Sequence, residues 1–195
     1  SAAINYLSAA RMFLFGARDV WFVVALPVYL SSQFNWSHTF VGGFLALWII
    51  GYGVIQTLAP KITGSKTGNV PTGSTAFSWA LVLAVIPALI ASALYFNVSP
   101  QIALLGGLLL FGVIFAINSS LHSFLIVRMA TDDGVSLDVG FYYMANAMGR
   151  LIGTVLSGWV YQAYGLEVCL LVSAVFVIIA AILSLLIPKP DSVQA

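Results

Sequence analysis

The chain has 195 residues, of which 61% are hydrophobic and only 7% charged, with a formal net charge of +1 and a mean hydropathy of +1.05. A soluble domain carries about 25% charge, so this composition excludes a water-soluble globular protein and points to lipid as the solvent. It also excludes a basic nucleic-acid-binding surface, and a single cysteine, Cys169, excludes an intrachain disulfide framework or a thiol metal cluster.

Six apolar stretches read in order as membrane-spanning helices. The first, residues 9–32, carries Arg11, Arg18 and Asp19 and is too long for the core of a signal peptide. Arg11 lies near its start and reads as an interfacial anchor, while Pro27 is expected to kink the helix. Polar residues 33–37 separate it from the second span, residues 38–60, which opens on a solvated His38. Residues 64–73 lead to the third span, 75–96, with Pro87 inside it, and residues 97–100 lead to the fourth, 101–127. Residues 131–134 form a break, with Asp132 and Asp133 in a solvated turn. The fifth span, 138–162, ends at Tyr164 and Gly165, and the sixth covers 166–187. All-helix is forced, because backbone groups in hydrocarbon must be satisfied within each segment, and the runs are too long and uniform for barrel strands.

Loop charges order these spans across the bilayer. Arg11, Lys61, Lys66, Arg128 and Lys189 fall on alternate connections, and the other connections carry no Lys or Arg. Positive residues mark the cytoplasmic side, so both termini and the tail, residues 188–195, are expected there, in a multi-pass protein of the cell (inner) membrane. Trp36, Tyr95 and Tyr164 fall at the opposite ends, as interfacial aromatics do. The whole chain, residues 1–195, reads as one six-helix domain. Since three is odd, its second triplet is inverted relative to the first, the 3+3 inverted repeat of many secondary transporters.

Polar residues inside the spans are the candidate site. Arg150 lies mid-way along the fifth span with no acid within ten residues of it, roughly 15 Å from either interface at about 1.5 Å per residue. A mid-bilayer arginine costs about 2.5–3.5 kcal/mol unless it faces water or a partner. Tyr143, Asn146 and Arg150 share one helical face, beside a small-residue stripe of Gly149, Gly153 and Ser157 that lets another helix come close. Arg150 therefore either holds an anionic group or pairs with a distant acid. Arg18 is near enough to the boundary to snorkel, but Asp19 is too short and must be protonated, paired or wet, either as a proton-coupling residue or as a salt bridge. Asn118 and His122 lie four apart on the fourth span, with Ser119 and Ser123 alongside, as hydrogen-bonding groups for a substrate or between helices. No catalytic constellation stands out. There is no H-E-x-x-H, P-loop or dinucleotide fingerprint, and Ser157-Gly158 lacks the flanking pattern of an intramembrane serine protease.

Four segments then resemble a known family. These are residues 9–27 (AARMFLFGARDVWFVVALP), 42–48 (GGFLALW), 115–123 (FAINSSLHS) and 135–150 (VSLDVGFYYMANAMGR). They are similar to the C-terminal six-helix half of major facilitator superfamily transporters, and most closely to the organoarsenical efflux permeases within it. The resemblance implies efflux of 1-arseno-3-phosphoglycerate, and with it arsenate resistance, by alternating access. It implies no cofactor and no metal. Its partners would be the bilayer, the anionic small-molecule substrate and an N-terminal six-helix half in the same or a separate chain, with no nucleic acid. On the reading of the polar residues in the spans, Arg150, Arg18, Asn146, Tyr143, Asn118 and His122 bind substrate, and Asp19 or His122 couples to protons. One departure is at residues 53–61, read as the loop after the second span. There facilitators often carry a glycine-acid-arginine motif, and here the acid is absent. A transporter of another organic anion and a non-transporting membrane scaffold are the alternative readings.

Overall fold

Every regular element is a helix in the computed structural model, which describes residues 1–63, 70–130 and 134–188. Helices α1 (Ala2–Phe22) and α2 (Ala25–Gln33) form the first span. They are followed by α3 (His38–Ile62), α4 (Gly73–Tyr95), α5 (Pro100–Met129), α6 (Val135–Tyr164) and α7 (Leu166–Leu185). The chain is thus an all-α membrane protein of six spans. Residues 53–61 lie within α3 and are not a loop, so the helix runs to Ile62 through Pro60. Lys66, Asp132, Asp133, Lys189 and most of the tail fall outside the described residues.

Local chemistry sets the ends of the helices. Ser37 caps α3 by accepting from the Phe40 amide at 3.2 Å, and Thr72 and Thr75 make a capping box at the start of α4. Pro100 occupies the first turn of α5, where its missing N–H is no loss. A single residue, Gly165, joins α6 to α7 with φ at 87°, a conformation that favours glycine. The first span breaks at Val23 and Val24, just ahead of Pro27, whose ring crowds the carbonyl four residues back. The amides of Val24 and Ala25 freed by the break donate to Ser157 Oγ on α6, at 3.3 and 3.0 Å.

Five of the six spans are long and apolar enough to cross a membrane: residues 2–33, 38–62, 73–95, 100–129 and 166–185. Helix α6 has the length but not the apolarity, because it carries Asp138, Asn146 and Arg150. The helices lie in two layers. In front, α3, α5, α1 and α6 stand side by side; behind, α4 and α7 pack on each other and on α5 and α1 respectively. Most of the contacts follow the inverted repeat, although among the described residues the fifth and sixth spans touch and the equivalent second and third do not. The first span meets the fifth and sixth, the fourth span meets the second and third, and the third and sixth meet each other. The bundle is thus built as two inverted triplets of spans. Its centre is aromatic, with Phe111 edge-on to Trp21 and stacked on Phe115, and Phe115 against Phe15.

The tightest seam joins α1 to α6 through the small-residue stripe. A Cβ on Gly149 would run into the Met12 carbonyl, and one on Gly153 would lie 2.8 Å from the Gly16 carbonyl oxygen and 2.9 Å from Asp19 Cβ. Gly158, on the same helix, faces open space. Gly149→Ala is therefore expected to lower the melting temperature of the purified protein, since overpacking of this kind costs about 1–3 kcal/mol. Gly158→Ala should leave it unchanged or raise it. Equal melting of the two variants would show that the seam tolerates a side chain.

Candidate functional site

Helix α1 carries Arg11, Phe15 and Arg18 at intervals of four and three, so one helical face presents two guanidiniums with a ring between them. Both cations lie over that ring, Arg11 at 4.0 Å and Arg18 at 4.9 Å from the Phe15 centroid. The Arg18 guanidinium is also 5.4 Å from the Phe115 ring of α5. Asp19, one residue on, faces the α6 seam and is only 1% exposed.

Asp19 joins the two helices. Its Oδ1 accepts from Arg18 Nε at 2.7 Å and its Oδ2 from Arg150 Nε at 3.2 Å. The apparent isolation of Arg150 ends here, because the fold brings it an acid from 131 positions away. The pair is not sealed, however. The Arg150 side chain is 56% exposed and that of Arg18 is 14% exposed. Each guanidinium uses Nε for the carboxylate, and among the described residues its terminal nitrogens make no further hydrogen bond. Two cations against one carboxylate leave a surplus positive charge and N–H donors suited to a second oxyanion, with Arg150 the one that is open.

Arg11 corrects the sequence reading. It is not an interfacial anchor but is buried in the bundle at 5% exposure. Its Nε donates to Asn146 Oδ1 at 3.0 Å, and its NH1 donates to the carbonyl and the hydroxyl of Ser119, each at 3.1 Å. Gln56 Nε2 on α3 donates to the same hydroxyl at 3.2 Å. The guanidinium also lies 5.1 Å from the Tyr142 ring centroid on α6. Arg11 thus ties α1 to α5 and α6 and reaches α3 through Ser119. Sequence reasoning missed it, together with Gln56 and Phe15. The available signal was the seven-residue repeat of arginine about an aromatic, which places both cations on one face.

The other expected residues divide between the open face and the interior. Tyr143 is exposed and Asn146 half-buried on α6, in line with Arg150. Asn118 is fully buried and turned to the back layer, donating to the carbonyls of Trp79 at 3.1 Å and Ile114 at 2.9 Å. His122 is fully buried, within electrostatic reach of Arg11, and its Nδ1 has no hydrogen-bond partner. The structure therefore brings together Arg18, Asp19, Arg150, Asn146 and Tyr143, and sets Asn118 and His122 behind them. Among the described residues no three His, Cys, Asp or Glu side chains converge as a metal site.

A family model described as Major Facilitator Superfamily matches residues 7–195. Comparison with curated proteins and with solved structures gives no significant match.

The geometry ranks the three charges. Removing one member of a buried pair costs about 3–5 kcal/mol, whereas a solvent-exposed pair contributes about 0–1 kcal/mol. Asp19→Asn leaves two guanidiniums facing a neutral amide, while Arg150→Gln leaves Asp19 still bonded to Arg18. Thermal melting in detergent should therefore fall further for Asp19→Asn than for Arg150→Gln. The reverse order would mean that the carboxylate is not what holds this cluster.

Proposed function

The chain belongs to the Major Facilitator Superfamily, and we propose that it exports an anionic organic phosphate from the cell, with 1-arseno-3-phosphoglycerate as the substrate and arsenate resistance as the result. Membership makes it a multi-pass membrane protein of a secondary-transporter family. The finer reading draws on the resemblance of its first, second, fourth and fifth spans to organoarsenical efflux permeases. The observation that carries it is the convergence of Arg18 and Arg150 on Asp19 at an open face of the bundle, with more N–H donors than the single carboxylate can use.

A phosphorylated, arsenylated glycerate carries several negative charges and oxygen-bound pentavalent arsenic. Guanidinium recognises such oxyanions bidentately, and no thiol pair is required. In this reading Arg150 and Arg18 receive the anion, and Asn146 and Tyr143 line its path. Asn118 and His122 support the pocket from behind and come forward only if the helices move. Asp19 holds the two arginines when substrate is absent, and gain of a proton there would release them, which makes it the candidate coupling residue. The polar face closes against an N-terminal six-helix half, in the same or a separate chain, and the two halves rock about the site. The chain sits in the inner membrane with both termini in the cytoplasm, following its loop charges.

Uptake into everted membrane vesicles tests the proposal. The arsenate ester should accumulate, and inorganic arsenate should not, with plain phosphoglycerate as a second control. Arg150→Ala, present in the membrane at the normal level, should lower uptake by about tenfold or more, the loss of one charge-assisted pair. Undiminished uptake in that variant would remove Arg150 from the mechanism.

A further inference from the structure

We propose that Arg11 is a second anion-binding residue of the same site, so that the site selects small molecules with two separated anionic groups, one held by Arg18 and Arg150 and the other by Arg11. The inference rests on the transport reading above and specifies its substrate class.

Arg11 is a buried cation without a counter-ion. Its acceptors, Asn146 Oδ1 and the Ser119 carbonyl and hydroxyl, are all neutral. No acid pairs with it among the described residues. A guanidinium kept out of water in that state is expensive unless a negative group joins it. Polar groups of the same layer are left unsatisfied as well. The hydroxyl of Ser8, one turn before Arg11 on α1, is buried with no hydrogen-bond partner, and so is His122 Nδ1. Arg11 and Gln56 both donate to the Ser119 hydroxyl, which uses both of its lone pairs. Buried donors left unmatched are uncommon in a finished structure and call for an explanation. An oxyanion entering here would supply both the charge and the lone pairs.

The position suits a compact bis-anion. Arg11 and Arg18 share the Phe15 ring, so the two positive centres are separated by little more than one aromatic side chain. Asn146 stands at the open face, one turn before Arg150 on α6, and its carboxamide oxygen fills the place at Arg11 Nε that an oxyanion would take. Asn146 thus stands between Arg11 and the face where Arg150 is exposed. The competing view is that Arg11 is only a latch between α1, α5 and α6.

Inhibition of arsenate-ester uptake in everted vesicles separates the two. The probes are 3-phosphoglycerate, which has two anionic groups, and glycerol 3-phosphate, which has one. Wild type should prefer the first by about tenfold, and Arg11→Gln should abolish that preference while changing inhibition by glycerol 3-phosphate less than about twofold. Arg11→Lys should retain part of the preference, because the charge remains without the planar fork. That variant decides the matter should Arg11→Gln not reach the membrane, since a latch would leave the two inhibitors equally weakened. Equal weakening of both inhibitors in Arg11→Gln would establish the latch, and an unchanged preference in all variants would overturn the inference with export itself left standing. Failure of wild type to take up the ester, or to be inhibited by either anion, would instead remove the transport reading on which the inference depends.

Discussion

One carboxylate bonded to two guanidiniums, at a seam where two helices touch backbone to backbone, governs the rest of this structure. A charge in lipid is tolerated only when it is paired or wet. Asp19 is almost wholly buried, so it must be paired, and its partners come from two helices. The pairing with Arg150 is possible only because Gly16, Gly149 and Gly153 let α1 and α6 approach without side chains between them. Ser157 extends the seam by accepting the amides that the break in the first span releases. Small residues, a helix break and a buried acid are thus parts of one arrangement, and it places two cations at the front of the bundle.

The layers divide the work. The back helices α4 and α7 are the most apolar spans and give α1 and α5 a dry wall. The front layer carries almost all of the interior polarity, and its hydrogen bonds run from helix to helix through Arg11, Ser119, Gln56 and Asn146. Helix α3 is the most outward of these. Trp48 seats it by packing over Gly112 and donating to the Leu108 carbonyl at 3.0 Å. Leu47, Ile50 and Val54 face outward. In lipid an outward apolar side chain is ordinary, so exposure alone does not separate a lipid-facing surface from one that meets another protein. Polarity does separate them, and in the front layer it gathers around Arg150, Tyr143 and Asn146 rather than along the outer side of α3.

The spans could be read from the sequence because lipid imposes both a length and a composition, and their bounds fall within a few residues of the helices except at the start, where α1 runs back to Ala2. The glycine stripe was readable for a similar reason, since three-and-four spacing fixes a face whatever lies opposite. What spacing cannot supply is the partner. Arg150 looked solitary because its acid is on another helix, and nothing local marks Asp19 as the one that meets it. Arg11 was misread because distance from the chain start stood in for depth, whereas α1 begins well before the apolar run and carries Arg11 into the bundle. Asn118 shares a face with His122, yet that face looks to the Trp79 carbonyl in the back layer. Periodicity tells which residues travel together and leaves open what they travel toward.

On the transport reading, the Asp19 cluster links binding to movement. A ligand shifts a conformational equilibrium only by the difference in its affinity for the two states. An oxyanion that binds the free terminal N–H groups of Arg18 and Arg150 draws on the same positive charge that holds α1 to α6 through Asp19. It therefore favours whichever packing needs that contact least. The seam can respond because its remaining contacts are of two kinds. The glycine-to-carbonyl approaches are steric and indifferent to charge, whereas the carboxylate bridge is electrostatic and open to competition. A substrate with enough negative charge weakens the second while leaving the first intact, so the helices can slide without coming apart. A neutral ligand of the same shape would have no such hold, and for that reason the charge of the cargo, more than its size, is what this arrangement is built to sense.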